Sequence, residues 1–136
     1  MADEKSKILI VDDDNDFREI ITTKLTAAGF EVAQVSSGQE ALTKIKEIKP
    51  NLVLMDVKMP GMSGIETLSR MHNDPELTNF KVLFLTSFGE PEDEAAFVDD
   101  KFAKEFGAIG HIKKSDDLDK IVQKIINALY PQDPQQ

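Results

Sequence analysis

The stretch LVLMDVKMPGMSG, residues 52–64, decides the fold of this chain. It begins with a continuous apolar run, which is typical of a strand buried on both faces, and it continues into a Pro- and Gly-rich loop. Asp56 stands between the two, as a carboxylate at the exit of the predicted strand. Open α/β sheets place their reactive groups at the carboxyl ends of the strands. The position of Asp56 therefore indicates a chemical role.

A second acidic cluster follows the apolar run ILIV, residues 8–11, and consists of Asp12, Asp13 and Asp14. If the two strands are parallel neighbours, their carboxylates crowd together, and each raises the pKa of the others unless a cation or a proton lies among them. Carboxylate, carbonyl and water oxygens suit Mg²⁺. The pattern therefore predicts a divalent cation. Asp14 is interpreted as a helix-start residue, because acids cap and stabilise that end of a helix.

The chain has the size and composition of one ordinary domain. Its 136 residues are 40% apolar and 30% charged, which is enough to bury a single core. We expect a domain over residues 7–130, between a frayed N-terminus, 1–6, and a tail or truncated linker, 131–136. No apolar stretch approaches the roughly 18 residues of a membrane span, and the polar N-terminus does not resemble a signal peptide. These features predict a cytoplasmic protein without a membrane partner.

Two further features exclude classes of function. The chain has no cysteine, which excludes disulfides, thiolate metal sites and cysteine nucleophiles. Its net charge of -9 argues against direct nucleic-acid binding by this chain, because contacts with phosphates need a basic surface.

Short apolar runs alternate with segments of helical spacing along the chain. This is the pattern of a parallel sheet covered by helices on both faces, and it predicts the α/β class. The predicted strands are Lys7–Val11, Glu31–Val35, Leu52–Met55, Val82–Leu85 and Gly110–Lys113. The second and fifth are less apolar, so we expect them nearer the sheet edges.

Five helices are predicted around these strands. The first has apolar residues at helical spacing and ends before Gly29, and the second and third begin with capping patterns at Ser37 and Ser63. The fourth is expected to begin at Pro91, and its predicted apolar stripe is Ala95, Val98, Phe102 and Phe106. The last is expected to begin after Ser115, with Asp116, Asp117 and Asp119 in its first turn.

Several strings, in this order and spacing, closely resemble the receiver domain of bacterial two-component response regulators. They are ILIVDD at 8–13, LMD at 54–56 with MPGMSG at 59–64, LTS at 85–87, and Gly107-Ala108 leading to Lys114. The resemblance spans roughly residues 7–129. It implies a doubly wound, flavodoxin-like α/β fold whose five-stranded parallel sheet has the order 2-1-3-4-5 and carries five helices.

The resemblance also implies the roles of individual residues. Asp56 would be phosphorylated by a sensor histidine kinase or a histidine phosphotransfer protein. Mg²⁺, with Mn²⁺ as a substitute, would be held by Asp12, Asp13, Asp56 and the backbone carbonyl of Lys58. Lys114 and the Thr86 hydroxyl would contact the phosphoryl group, and the small Ser87 would leave room for it. Residue chemistry supports the central role independently, since a carboxylate can attack phosphorus to give an acyl phosphate.

The implied output is a changed protein surface. Phosphorylation would shift the domain between two conformations and alter the surface of the fourth helix, fifth strand and fifth helix. That surface would control a downstream protein or an output domain outside this chain, and homodimerisation remains open. Such a domain assists its own phosphorylation and dephosphorylation and turns over no external metabolite, so it is not expected to be an enzyme in the conventional sense.

Four features depart from the family pattern. Ser115 stands where the family usually has proline after a cis bond, and a non-proline cis bond costs about 2.5–4 kcal/mol, so we expect a trans bond after Lys114. The segment between Thr86 and Gly107 is several residues longer than usual. His111 occupies a switch position that is often tyrosine or phenylalanine. Lys58 and Phe88 flank the path of the hydrolytic water, which predicts slow self-dephosphorylation.

Two other functions stay open at the level of sequence. A degenerate receiver could act as an interaction module that does not depend on phosphorylation, and Ser115 is compatible with this. An aspartate-nucleophile phosphatase would usually have a second aspartate two residues after the nucleophile, where this chain has Lys58. Taken singly, Thr86 is typical of a strand and Lys114 of a solvated charge, and only the spacing from Gly107-Ala108 selects this lysine.

Overall fold

Five strands and five helices alternate in the computed structural model, which describes residues 5–77, 80–87 and 100–131. The strands are β1 Lys7–Val11, β2 Glu31–Val35, β3 Leu52–Asp56, β4 Lys81–Thr86 and β5 Gly110–Lys113. The helices are α1 Asn15–Ala27, α2 Gly38–Ile48, α3 Gly64–His72, α4 Asp100–Glu105 and α5 Leu118–Leu129. β1, β2 and β5 have the predicted bounds. β3 and β4 extend one residue further toward the candidate site, and β4 also begins one residue earlier than predicted.

The sheet is parallel throughout, with the order β2-β1-β3-β4-β5 that the family resemblance implied. The three most apolar strands, β1, β3 and β4, are therefore central, and β2 and β5 are edges, as predicted. The register pairs Val11 with Met55, and Asp56 with Leu85. Because the central strands end at nearly the same level, the residues that follow them meet at one edge of the sheet.

Two cores lie on opposite faces of the sheet, because successive strand residues point to opposite sides. On one face, alternate residues such as Leu9, Met55 and Phe84 pack against α2, α3 and α4. On the other face, residues such as Ile10 and Leu54 pack against α1 and α5. Both layers fix the central strands, and the strands in turn fix the positions of the residues at their carboxyl ends.

Local side-chain caps set the beginnings of the helices. The hydroxyls of Ser37 and Ser63 accept the predicted hydrogen bonds from the third residue that follows each of them. Asp14 caps α1 in the same way. Asp117 caps α5 with an extended backbone, so the prediction that it lies in the first helical turn with Asp116 is wrong. The carboxylate of Asp117 accepts from the Lys120 N–H, as a capping residue does, and the helix therefore begins at Leu118.

The fourth helix is described only from Asp100 to Glu105. Its predicted start at Pro91 and the stripe residues Ala95 and Val98 lie outside the described residues, as does most of the long segment after Thr86. Phe106 follows the helix and is 41% exposed, so its predicted place in the buried stripe is wrong. The backbone turns there, and the Phe106 ring packs on Phe102 instead, with ring centroids 4.9 Å apart. Within the described ranges, no helix is both long and apolar enough to cross a membrane.

Candidate functional site

The candidate site lies at the carboxyl edge of the sheet, where β1 and β3 end. Asp56 is the last residue of β3, and Asp12 and Asp13 directly follow β1. One carboxylate oxygen from each of these three residues lies within 4.8 Å of the others. Asp12 and Asp56 are buried, with 0% and 3% of their surfaces exposed, whereas Asp13 is exposed. The cluster therefore has a buried floor and an open side.

Lys114 reaches this cluster from the end of β5. Its backbone N–H donates to the Thr86 carbonyl at 2.8 Å, which continues the pairing of β4 with β5. Its Nζ lies 2.6 Å from Asp12 Oδ2 and 3.3 Å from Asp56 Oδ2. The peptide bond to Ser115 is trans, as predicted from the replacement of proline. The lysine therefore enters the site without a cis bond beside it.

Burial and crowding raise the pKa of Asp56. Loss of hydration is the larger cause, the charge of Asp12 adds to it, and together they raise the pKa to about 7. The Lys114 ammonium and the backbone N–H of Lys58, which donates to Asp56 Oδ1 at 3.3 Å, act in the opposite direction. For Lys114 itself, burial lowers the pKa, but Asp12 and Asp56 outweigh burial and raise it. The lysine thus remains a cation and compensates only part of the acidic charge.

The donor set fits a hard divalent cation. The Oδ1 atom of Asp12 accepts from the backbone N–H of Asp14 at 3.0 Å. Its Oδ2 atom is buried, and the Lys114 ammonium lies 2.6 Å from it. The three carboxylates supply oxygen ligands, and they outnumber the Lys114 ammonium and the Arg18 guanidinium, which donates to the Asp12 carbonyl. Oxygen ligands and excess negative charge are the conditions under which proteins bind Mg²⁺.

Thr86 and Ser87 lie beside the cluster, at the end of β4. Thr86 is its last residue and is buried, and its hydroxyl donates to the Ile112 carbonyl of β5 over a long 3.5 Å. Ser87 follows immediately and is exposed. The hydroxyl of Thr86 is therefore held by a weak contact with the neighbouring strand.

His111 lies on β5, further from the acids, and is paired with Asp100. Its backbone N–H and its Nδ1 lie 3.0 and 2.8 Å from the same Oδ1 atom of Asp100. Partial burial raises the pKa of Asp100, but these contacts with His111 outweigh it and leave the pKa below its usual range. Because Asp100 lies in α4, the pair joins α4 to the edge strand. No sequence pattern marked this contact, since the two residues are eleven positions apart in different elements.

Of the two residues predicted to control water access, Lys58 lies within the described residues. Lys58 is exposed, and its backbone N–H bonds to Asp56. Phe88 lies outside the described residues.

Sequence reasoning overlooked two residues of the first helical turn. Lys114 Nζ lies over the ring of Phe17, 5.1 Å from its centroid. A guanidinium nitrogen of Arg18 donates to the Asp12 carbonyl at 2.5 Å. The position of these two residues in the chain could have indicated their place in the site. The first turn of a helix that follows an acidic strand end lies at the same edge of the sheet as the acids. Phe17 also fits the apolar spacing of α1, which core packing explains without reference to the site.

Comparison with known proteins identifies the architecture. The family model described as the response regulator receiver domain matches residues 8–126. The chain belongs to this family. This receiver domain is 37% identical over 115 residues to sporulation initiation phosphotransferase F of Bacillus subtilis (strain 168), covering 85% of this chain and 86% of that protein.

Other relatives of this receiver domain are longer. It is 33% identical over 127 residues to the regulatory protein AtoC of Escherichia coli (strain K12), which covers 93% of this chain but only 26% of that protein. Among solved structures, a chain described as a response regulator from Chloroflexus aurantiacus J-10-fl superposes with a TM-score of 0.79 at 31% identity. That match covers 93% of this chain and 98% of the other. Receiver domains are signalling domains, and the predicted family and fold are both confirmed.

Proposed function

We propose that this receiver domain accepts a phosphoryl group on Asp56 from the phosphohistidine of a sensor histidine kinase or a histidine phosphotransfer protein. The observation that carries the proposal is a buried carboxylate at the end of a central strand, in contact with one lysine and clustered with two further acids. An ordinary surface aspartate would have none of these neighbours.

The transfer exchanges one bond to phosphorus for another. An oxygen of the Asp56 carboxylate attacks phosphorus and forms the acyl phosphate, while the bond between phosphorus and the donor's imidazole nitrogen breaks. The nitrogen leaves with the bonding electron pair and takes up a proton. Because such a reaction needs mainly positioning and charge neutralisation, the residues around Asp56 supply most of the catalysis.

Asp12, Asp13, Asp56 and the Lys58 backbone carbonyl would hold Mg²⁺. When bound, this ion neutralises negative charge on the carboxylates and the phosphoryl oxygens. The clustering of three carboxylates supports the assignment, and so does the pKa of Asp56, which burial and the charge of Asp12 raise. Lys114 would pair with a phosphoryl oxygen, because its ammonium already lies 3.3 Å from Asp56.

Thr86 would couple the phosphoryl group to the rest of the domain. Its hydroxyl gives up only a long hydrogen bond to Ile112 when it turns to donate to a phosphoryl oxygen, and the exposed Ser87 leaves space beside it. Exchange of that bond alters the contact between β4 and β5, and β5 carries His111, which is tied to α4. The surface of α4, β5 and α5 would then bind a downstream protein or an output domain differently.

Phosphorylation by a small donor tests the proposal. Acetyl phosphate with Mg²⁺ should add the mass of one phosphoryl group to the wild-type chain, and chelation should abolish the addition. Asp56→Asn should give no adduct, whereas the matched change Asp16→Asn, an exposed acid at the same edge of the sheet, should leave the adduct intact. An adduct that persists in Asp56→Asn refutes the assignment. The absence of an adduct with several donors favours a phosphorylation-independent interaction module.

A further inference from the structure

The ring of Phe17 contacts the ammonium of Lys114, which lies among the site carboxylates. Lys114 Nζ lies over this ring, 5.1 Å from the centroid. A cation within about 6 Å of a ring face is attracted by the quadrupole of the ring, most strongly where water is excluded. We propose that Phe17 is a positioning residue that holds the Lys114 ammonium beside the site carboxylates through the face of its ring.

The ring is presented from a rigid element. Phe17 lies in the first turn of α1, where its backbone N–H donates to the capping carboxylate of Asp14 at 3.2 Å. Its side chain is partly buried and packs on the apolar cluster beneath α1 and α5. Because both backbone and ring are held, Phe17 can restrict a neighbour that is itself flexible.

Lys114 needs such a restraint. Its backbone is fixed by the 2.8 Å hydrogen bond to the Thr86 carbonyl, but its ammonium ends a flexible four-carbon chain. The next residue is Ser115, joined by a trans bond, so no proline ring stiffens the turn. Packing on Phe17 therefore restrains the end of a side chain that the backbone leaves mobile.

The ring also supplies an attraction that a bound dication does not share. Asp12 and Asp56 attract Lys114 most directly, at 2.6 and 3.3 Å, but both are candidate metal ligands. A divalent cation on these carboxylates would weaken their pull on the ammonium and would repel it. A phenyl ring is not a ligand for a hard cation, so its contact with Lys114 persists.

Progressive fluorination of the Phe17 ring tests this role with little change in packing. Fluorine withdraws electron density from the ring face, so incorporation of mono-, di- and trifluorophenylalanine at position 17 should weaken the contact stepwise. In the unphosphorylated full chain, NMR should show stepwise loss of order at the Lys114 ε-carbon. A second expectation rests on the proposed function. Phosphorylation by acetyl phosphate should slow by roughly three- to tenfold across the series.

The same series at Phe30 is the matched control. Phe30 is a buried phenylalanine just beyond the other end of α1, and its fluorination should alter neither the Lys114 signal nor the rate. Lys114 order that stays constant across the Phe17 series overturns the positioning role. Because this readout needs no phosphoryl group, it still decides the role of Phe17 if the wild type proves unable to accept phosphate.

Discussion

The Lys114 ammonium lies closer to Asp12 than to Asp56, with Nζ 2.6 Å from Oδ2 of Asp12 and 3.3 Å from Oδ2 of Asp56. Asp12 is fully buried, and the Lys114 side chain is only 15% exposed. Removal of one member of a buried pair leaves a charge without compensation. The lysine is therefore the internal counterion of the unphosphorylated site, besides its proposed contact with the phosphoryl group.

Replacing this counterion should destabilise the protein. Lys114→Met leaves Asp12 and Asp56 buried together without a cation, and we expect the free energy of unfolding to fall by about 3 kcal/mol in the presence of chelator. Added Mg²⁺ should restore part of the loss, because it supplies the missing positive charge. Urea denaturation with and without Mg²⁺ measures both effects. Lys113→Met, at the exposed neighbouring position, is the control, and equal losses in the two variants would contradict the prediction.

The raised pKa of Asp56 should give the metal-free protein a characteristic pH dependence. Burial, assisted by the charge of Asp12, raises this pKa from 3.8 to about 7, so the folded protein keeps a proton that the unfolded chain releases. Between about pH 4 and 7 the folded state binds more protons, and the free energy of unfolding therefore falls as the pH rises.

Asp56→Asn should remove the contribution of Asp56 to the decrease in the free energy of unfolding with pH. Above pH 7, this variant should be more stable than the wild type by about 1–3 kcal/mol. Thermal and urea unfolding across the pH range provide the measurement. The control is Asp119→Asn, a carboxylate 86% exposed on α5, which should preserve the wild-type slope. Identical profiles for wild type and Asp56→Asn would show that Asp56 is not perturbed by burial.

Asp100 should hold α4 against the edge of the sheet. Its Oδ1 atom lies within hydrogen-bond distance of both the backbone and the ring nitrogen of His111, so Asp100→Ala leaves an edge N–H and an imidazole nitrogen without their acceptor. We expect a loss of about 1 kcal/mol in local stability, seen as faster hydrogen exchange in α4 and β5. Glu105→Ala, at the carboxyl end of α4, should leave exchange in β5 unchanged. Unaltered exchange in Asp100→Ala would refute the coupling.

Gly64 should be required for the geometry of the site. A Cβ atom at this position would lie 2.1 Å from the Asp56 carbonyl oxygen, so Gly64→Ala must displace either β3 or the start of α3. We expect a destabilisation of about 2–3 kcal/mol together with slower phosphorylation of Asp56.

Gly29→Ala is the matched comparison for Gly64→Ala. Gly29 has φ of +99° but open space around its Cβ position, so alanine there should cost about 1–2 kcal/mol of backbone strain and leave phosphorylation unchanged. Unfolding curves and adduct formation are measured on both variants. They distinguish a loss of stability from backbone strain alone, expected for Gly29→Ala, from a displacement of Asp56, expected for Gly64→Ala. Normal phosphorylation in Gly64→Ala would exclude the proposed displacement of Asp56.

The side chain of Lys58 should prolong the life of the acyl phosphate. Lys58 is exposed and lies two residues after Asp56, where a long cation can obstruct the hydrolytic water. Lys58→Asn should therefore speed decay of the adduct severalfold, as should Phe88→Ala, whereas Lys113→Asn should not. The decay is followed by intact mass after the donor is removed. Unchanged decay in both variants would eliminate this explanation of phosphoryl lifetime.

Much of the fold could be predicted from local patterns. Continuous apolar runs identified β1, β3 and β4, and serine caps located the starts of α2 and α3 to the residue. The less regular elements were harder, because several weak signals competed. Three aspartates precede or enter α5, and only the extended backbone of Asp117 determines which of them is the cap.

The sequence by itself determined that acids follow β1 and β3, because strand ends are set by local periodicity and parallel strands bring their carboxyl ends to one edge. The tertiary structure decided the contacts within the site. The pairing of Lys114 with Asp12, the placement of Phe17 against that lysine, and the bond from Asp100 to His111 all depend on side-chain packing between separate elements. Asp56 and Lys114 are 58 positions apart, and no local pattern specifies the distance between such residues.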